Sequence, residues 1–240
     1  MRCFALAAAV LLAACALPET VPDPGEAQAV LLGEQHDAEM HRDLQERWVT
    51  ALARRGRLAG LLLEMAERGR ATTGLPPTAS EAEVRAALAW DNAAWPWERY
   101  RPAVMAAVRA GVPVLGANLP RSHMREAMAD ATFDRLLPGP ALKAQQQAIR
   151  LGHCGLLPER QITPMTRVQV ARDQAMAQAL AAAVQPGRVV LLLAGAGHVQ
   201  PDLGVPQHLP PGLQVMPVVL PPVASGKDHC EELRQRFPGR

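Results

Sequence analysis

Five short apolar runs limit what this chain can fold into. They are Ala29-Val30-Leu31-Leu32, Leu61-Leu62-Leu63, Val112-Pro113-Val114-Leu115, Val189-Val190-Leu191-Leu192-Leu193 and residues 215–219. Each is too short for a helix and lacks in-and-out alternation, so each reads as a strand buried on both faces. Between them the pattern turns helical. Met40, Leu44, Trp48 and Leu52 recur every fourth residue within 38–55, and Ser80-Glu81-Ala82-Glu83 has the form of a capping box. Further helices are expected over 103–110, 121–130, 141–151 and 167–184. Strands alternating with helices predict an α/β fold: a single domain with a mainly parallel sheet flanked by helices on both faces.

The ends read differently. Residues 1–14 carry one arginine, a short apolar core and small residues before Cys15, the pattern of an export signal. The run is far short of the roughly 20 residues that cross a bilayer. Leu12-Ala13-Ala14-Cys15 is similar to a bacterial lipobox, which makes Cys15 a candidate lipid anchor and residues 15–27, rich in proline and acid, a tether. The folded domain is then expected over 28–222, with 223–240 as a tail. Ala16 after the cysteine points to the outer membrane, with the domain facing the periplasm. Cleavage leaves Cys154 and Cys230, an even pair in an oxidising compartment, where a disulfide is permitted beside the alternative of two free thiols. Hydrophobic content of 49% supports a real core, and a net charge of +2 with scattered arginines argues against nucleic acid as a partner.

Four of the strands run apolar and then end in polar chemistry: Glu34 with His36, Glu64, Asn118 with Arg121, and Gly195-Ala196-Gly197-His198. In a parallel sheet these ends share the carboxyl edge, where open α/β folds bind ligands. The expected polar cluster is Glu34, His36, His41, Glu64, Asn118 and His198. Two reactive readings follow. His36 and His198 are candidate ligands for a divalent metal. Alternatively Glu34 or Glu64 acts as general base beside His36 and His198, making the crevice hydrolytic. Gln169 and Asp173, with Arg172, repeat the four-residue spacing of His41 and Gln45, as one helix face in each case. Trp90, Trp95, Trp97 and Tyr100, the chain's one tyrosine, crowd a short stretch, as helix core or as the wall of a flat apolar ligand. His153, beside Cys154 and Gly155, is a further candidate ligand.

With these residues in view, the chain resembles the ChaN family of haem-binding lipoproteins, related to Tiki and TraB proteins and more distantly to erythromycin esterases. The resemblance rests on Gly33-Glu34-Gln35-His36 with His41 and Gln45, Leu63-Glu64-Met65, Trp97 to Pro102, and Ala117 to Arg121. It continues through His153-Cys154-Gly155, Gln169 to Asp173, and Ala194 to His198, in order along nearly the whole mature chain. It implies haem as cofactor, bound in a crevice or between the two subunits of a homodimer, with a role in iron acquisition and an outer-membrane haem transporter as partner. It implies Tyr100 as first choice for the iron ligand and His153 as second, with Arg121 pairing a propionate. A metal-dependent or acid–base hydrolase and a non-catalytic envelope scaffold remain the competing functions.

Overall fold

The structure, a computed structural model, describes residues 21–224 and 228–236. The expected export signal and the candidate lipid anchor Cys15 lie outside the described residues.

Strands β1 (Ala29–Glu34), β2 (Leu58–Glu67), β3 (Val114–Asn118), β4 (Val189–Gly195) and β5 (Val215–Val219) form one sheet in the order β3-β2-β4-β1-β5. Every neighbouring pair is parallel. Strand residues split by parity between two cores, as a side-chain period of two requires. Val30, Leu32, Leu61, Leu63, Leu191 and Leu193 pack beneath helices α1 (Glu39–Arg54) and α3 (Trp97–Arg109). Leu31, Leu62, Val190 and Leu192 turn to the opposite face and meet α6 (Glu159–Ala183) through Met176, Ala177 and Leu180. Each fully buried leucine contributes roughly 1.5–3 kcal/mol, and the continuous apolar strands follow from having two faces to fill. Helices α2 (Glu81–Ala87), α4 (Met124–Ala129), α5 (Gly139–Gly152) and α7 (His229–Arg236) complete the set. The five strands, their covering helices and both cores all lie within residues 21–224.

Several boundaries moved. The capping box is formed, Ser80 Oγ accepting from the Glu83 N–H while the Glu83 carboxylate takes the Ser80 N–H at 2.7 Å. Helix α3 begins at Trp97, six residues before the expected start, because Pro102 is tolerated inside it. Helix α6 likewise starts at Glu159 rather than near 167, running through Pro164. Its first half therefore extends beyond the sheet and pairs with α5 as a helical hairpin. The tail carries α7, and Cys230 on it is joined to Cys154 at the hairpin tip, with Cα atoms 5.5 Å apart. No helix among the described residues is long and apolar enough to cross a membrane.

The chain leaves β1 toward β2 on one side and leaves β4 toward β5 on the other. These adjacent strands therefore mark the place where connections diverge and a crevice opens at the carboxyl edge.

Candidate functional site

Parity assigns Glu34, the last residue of β1, and Glu64, which lies three residues inside the end of β2 rather than at the expected strand end, to opposite faces. Glu34 follows Val30 and Leu32 onto the α1/α3 side; Glu64 follows Leu62 onto the α6 side. Both are 2% exposed. The Tyr100 hydroxyl donates to Glu34 Oε1 at 2.7 Å, and the Gln45 amide donates to Oε2. His36, in the loop after β1, spans the two sides. Its Nδ1 lies 2.8 Å from Glu34 Oε1 and its Nε2 3.9 Å from Glu64 Oε2. The imidazole rests edge-on against Trp95, centroids 4.9 Å apart, and Arg99 donates to the His36 carbonyl. Gly195 makes this bridge possible: a Cβ there would lie 2.8 Å from His36 Nε2, closer than packing permits.

The second half centres on Glu64. Its Oε2 accepts the Gly195 N–H at 2.7 Å, while Oε1 lies 3.3 Å from both Arg172 Nη2 and His198 Nε2. On its other side His198 offers Nδ1 to Asp173 Oδ1 at 2.5 Å, with the Gln169 amide 3.2 Å away. Asn118 locks the rim, donating to the Glu64 carbonyl at 2.7 Å and accepting from Arg172 Nε at 3.0 Å. Burial alone would make His198 a weaker base, yet Glu64 and Asp173 outweigh it and push its pKa up to about 10. Burial works against ionising Glu64 too, but His198, His36 and Arg172 hold it well below the carboxylate range. Asp173 stays above its ordinary value, because its desolvation exceeds the pull of His198. His36 is raised: burial opposes its charge, and the Glu34 hydrogen bond with the Glu64 field overcomes that.

Glu34, His36, Glu64, Asn118 and His198 thus meet at one edge, and Gln45, Tyr100, Gln169, Arg172 and Asp173 complete their network. Their helical spacing had marked Gln169 and Asp173 as a pair, equally compatible with a solvated face; nothing in sequence aimed them at His198. Two residues fall elsewhere. His41 is buried but accepts the Gln35 N–H on Nδ1 at 3.0 Å, so its Nε2–H donates to the Pro221 carbonyl at 2.9 Å. It ties the β1 loop to the chain after β5 and does not face the crevice. Tyr100 is wholly buried, and burial with the neighbouring Glu34 drives its phenol far above the usual tyrosine range. That corrects the expectation of Tyr100 as iron ligand: its hydroxyl is committed to Glu34 in the core. The metal pair His36 and His198 is corrected similarly, since carboxylates hold both Nδ1 atoms and Glu64 the His198 Nε2. Among the described residues no group of three or more His, Cys, Asp or Glu is arranged to hold a metal ion. As a hydrolytic set, Glu34, Glu64 and His198 are shielded, and His36, its side chain 40% exposed, is the member open to solvent.

A cavity of about 330 Å³ opens beside this network, between the end of β2, the segment joining α2 to α3 and the residues after β3. Glu64, Asn118 and Arg172 form its polar floor, and Trp95, Leu119 and Met124 its apolar wall. Trp97 and Tyr100 are core, as one of the two readings of the aromatic stretch expects, while Trp95 lines this wall. Arg121 stands at the mouth, paired with Asp91 at 3.1 Å. His153 is not here. It caps α5 at the hairpin tip, where its Nδ1–H donates to the Ile149 carbonyl at 2.9 Å and Nε2 keeps its lone pair. Thirteen residues of α6 separate Glu159, beside the tip, from Arg172, about 20 Å of helix axis.

Residues 23–209, which include the crevice and the hairpin, match the sequence model of a family described as haem-binding uptake, Tiki superfamily, ChaN. The chain belongs to that family. A solved structure described as cofacial heme binding to ChaN of Campylobacter jejuni superposes with a TM-score of 0.66 at 25% identity, covering 85% of this chain and 84% of that one. No curated protein sequence matches. The ChaN match thus agrees with the expected family and with the α/β architecture.

Proposed function

We propose that this protein is a haem-binding lipoprotein of the cell envelope, serving iron acquisition, and that His153 supplies the iron ligand. The observation carrying the ligand assignment is the hydrogen bond from His153 Nδ1 to the Ile149 carbonyl. A backbone acceptor on one ring nitrogen fixes the tautomer and leaves the other as a metal donor, the arrangement common to metal-binding histidines. Leu151, 68% exposed, and the half-buried Leu156 and Leu157 give the tip the apolar surface a porphyrin face requires. Bound haem supplies iron coordination at that nitrogen. The chain's own residues orient the ring: the Cys154–Cys230 disulfide holds the turn that follows His153.

One hairpin tip covers one face of a porphyrin, so a second copy of the chain covers the other. In that arrangement the arginines at the crevice, Arg121 and Arg172, meet the propionates of haem carried by the opposite copy, since the tip of their own chain is too distant. The cofacial haem named for the Campylobacter protein fits such a pair. Cys15 would anchor the assembly through lipid.

Titrating the protein with haemin should give a saturable Soret shift. His153→Ala should abolish it while leaving the fold intact, and Tyr100→Phe should keep it. A shift that survives His153→Ala and disappears in Tyr100→Phe would overturn the ligand assignment. No saturable shift at micromolar haemin would overturn the haem reading. Sedimentation should show dimers forming with haemin.

A further inference from the structure

The opposite end of the sheet carries a different chemistry. Arg54 and Arg55 end α1, Arg109 ends α3, and Arg57 and Arg188 immediately precede β2 and β4. Helices that return antiparallel to the strands must end at the amino edge, so all five arginines gather there. Arg54, Arg55, Arg109 and Arg188 are exposed and Arg57 is half-buried. None of the five pairs with a carboxylate among the described residues. Favourable interaction with helix carboxyl termini accounts for Arg54, Arg55 and Arg109, but not for Arg57 or Arg188.

Two further observations point to what covers this edge. The segment from Val21 to Gln28 enters the fold here, Arg57 donating to the Gly25 carbonyl at 2.9 Å, so any N-terminal tether leaves from this face. Arg57 and Arg188 also share a cleft of about 560 Å³ with Gly25, Glu26, Gln28 and Gln214, two guanidinium groups against one exposed carboxylate. In that cleft Arg57 Nε is buried and has no partner, a donor waiting for an acceptor.

We propose that the amino edge is a docking surface for anionic phospholipid headgroups, a headgroup phosphate being taken by Arg57 and Arg188. This rests on the membrane-anchored reading above and adds the orientation: arginines on the bilayer, crevice and hairpin directed away. Guanidinium groups suit phosphate oxygens bidentately, and the tether brings the surface to the headgroups at high local concentration.

The test uses residues 18–240, which keep the five strands, their covering helices and both cores and lack Cys15, and reads co-sedimentation with vesicles. Phosphatidylglycerol–phosphatidylcholine vesicles should bind the protein, and pure phosphatidylcholine should not. Each arginine removed near an anionic surface should weaken binding about fivefold, so Arg188→Gln loses about fivefold and Arg55→Gln with Arg188→Gln about 25-fold. The loss should be strong in about 0.5 M salt, where screening is short-ranged. Arg125→Gln on α4 should leave binding within about twofold. Equal binding to both vesicles, or equal losses from Arg125→Gln and Arg188→Gln, would overturn the proposal. Acylation of Cys15 is read separately, from the mass of the mature chain isolated from cells. An acylated chain whose domain ignores anionic vesicles overturns the docking surface alone. Vesicle binding by a chain that is never acylated supports the surface and overturns the anchor.

Discussion

The two edges of the sheet handle charge in opposite ways. At the carboxyl edge Glu34, Glu64, Asp173, His36, His198 and Arg172 alternate in sign, interlock and are largely withdrawn from water. At the amino edge five arginines stand without a carboxylate partner among the described residues, four of them exposed and Arg57 half-buried. Elementary electrostatics assigns each edge a different consequence. Buried interlocked charges are costly to disturb, because removing one strands its neighbours. Exposed like charges scarcely affect folding, yet they project a field that a partner can feel. Stability should therefore depend on the first edge, and association on the second.

The largest effect should come from Glu64→Ala. It removes the acceptor for Gly195 N–H and the counter-charge of His198 and Arg172, leaving buried cations unpaired. A loss of about 3–5 kcal/mol is expected in urea unfolding. A value below about 1 kcal/mol would mean that water already solvates this network, and the contrast between the edges would fail.

Next in size is the disulfide. Cys154 and Cys230 are 76 residues apart, so their cross-link restricts a long loop of the unfolded chain. Replacing both by serine should cost about 2–4 kcal/mol. Unlike Glu64→Ala, this change should also loosen the hairpin tip, which limited proteolysis between α5 and α6 would report. The cysteines thus separate the stability of the network from the order of the haem-binding tip.

pH sharpens the comparison further. His198 is raised above its ordinary value of 6.5 to about 10, so its contribution is complete below 6.5 and is lost as pH rises through 10. Glu64 is depressed from 4.5, so its contribution is present above 4.5 and is lost as acid reaches its lower folded value. Asp173 is raised and acts the other way, costing stability above 3.8. Melting temperature should accordingly decline between pH 7 and 10, and Glu64→Gln should flatten that decline. An unchanged slope in Glu64→Gln would remove Glu64 as the source of the His198 shift.

How much of this could be read from residues alone follows the same physics. Continuous apolar runs made β1, β2 and β4 legible, and the change from Ala117 to Asn118 marked the end of β3, whereas β2 continues three residues past Glu64 to Glu67. The meeting of Glu34, Glu64, Asn118 and His198 followed from parallel topology. What escaped was the side-chain geometry beneath the rim. The family resemblance offered Tyr100 as a ligand; only the turn of α3, continuing through Pro102, shows it aimed at Glu34. His41 shares a helix face with Gln45, yet a contact 180 residues away claims it. The distance between His153 and Arg121 was likewise invisible, since the length of α6 depended on Pro164 failing to end it. Local pattern carries periodicity; long-range hydrogen bonds leave no periodic trace.

The smallest expected effect tests the amino edge from the side of folding. Arg55→Gln removes an exposed charge at the carboxyl cap of α1, where it has no carboxylate partner and the helix terminus offsets part of the repulsion among its neighbours. Its effect should lie within about 0.5 kcal/mol, tending to stabilise at low salt and vanishing as salt rises. Thermal melts at two ionic strengths would measure it. A loss above about 1 kcal/mol would show that Arg55 holds a structural bond. The amino edge would then resemble the carboxyl edge, its charges serving the fold before any partner arrives.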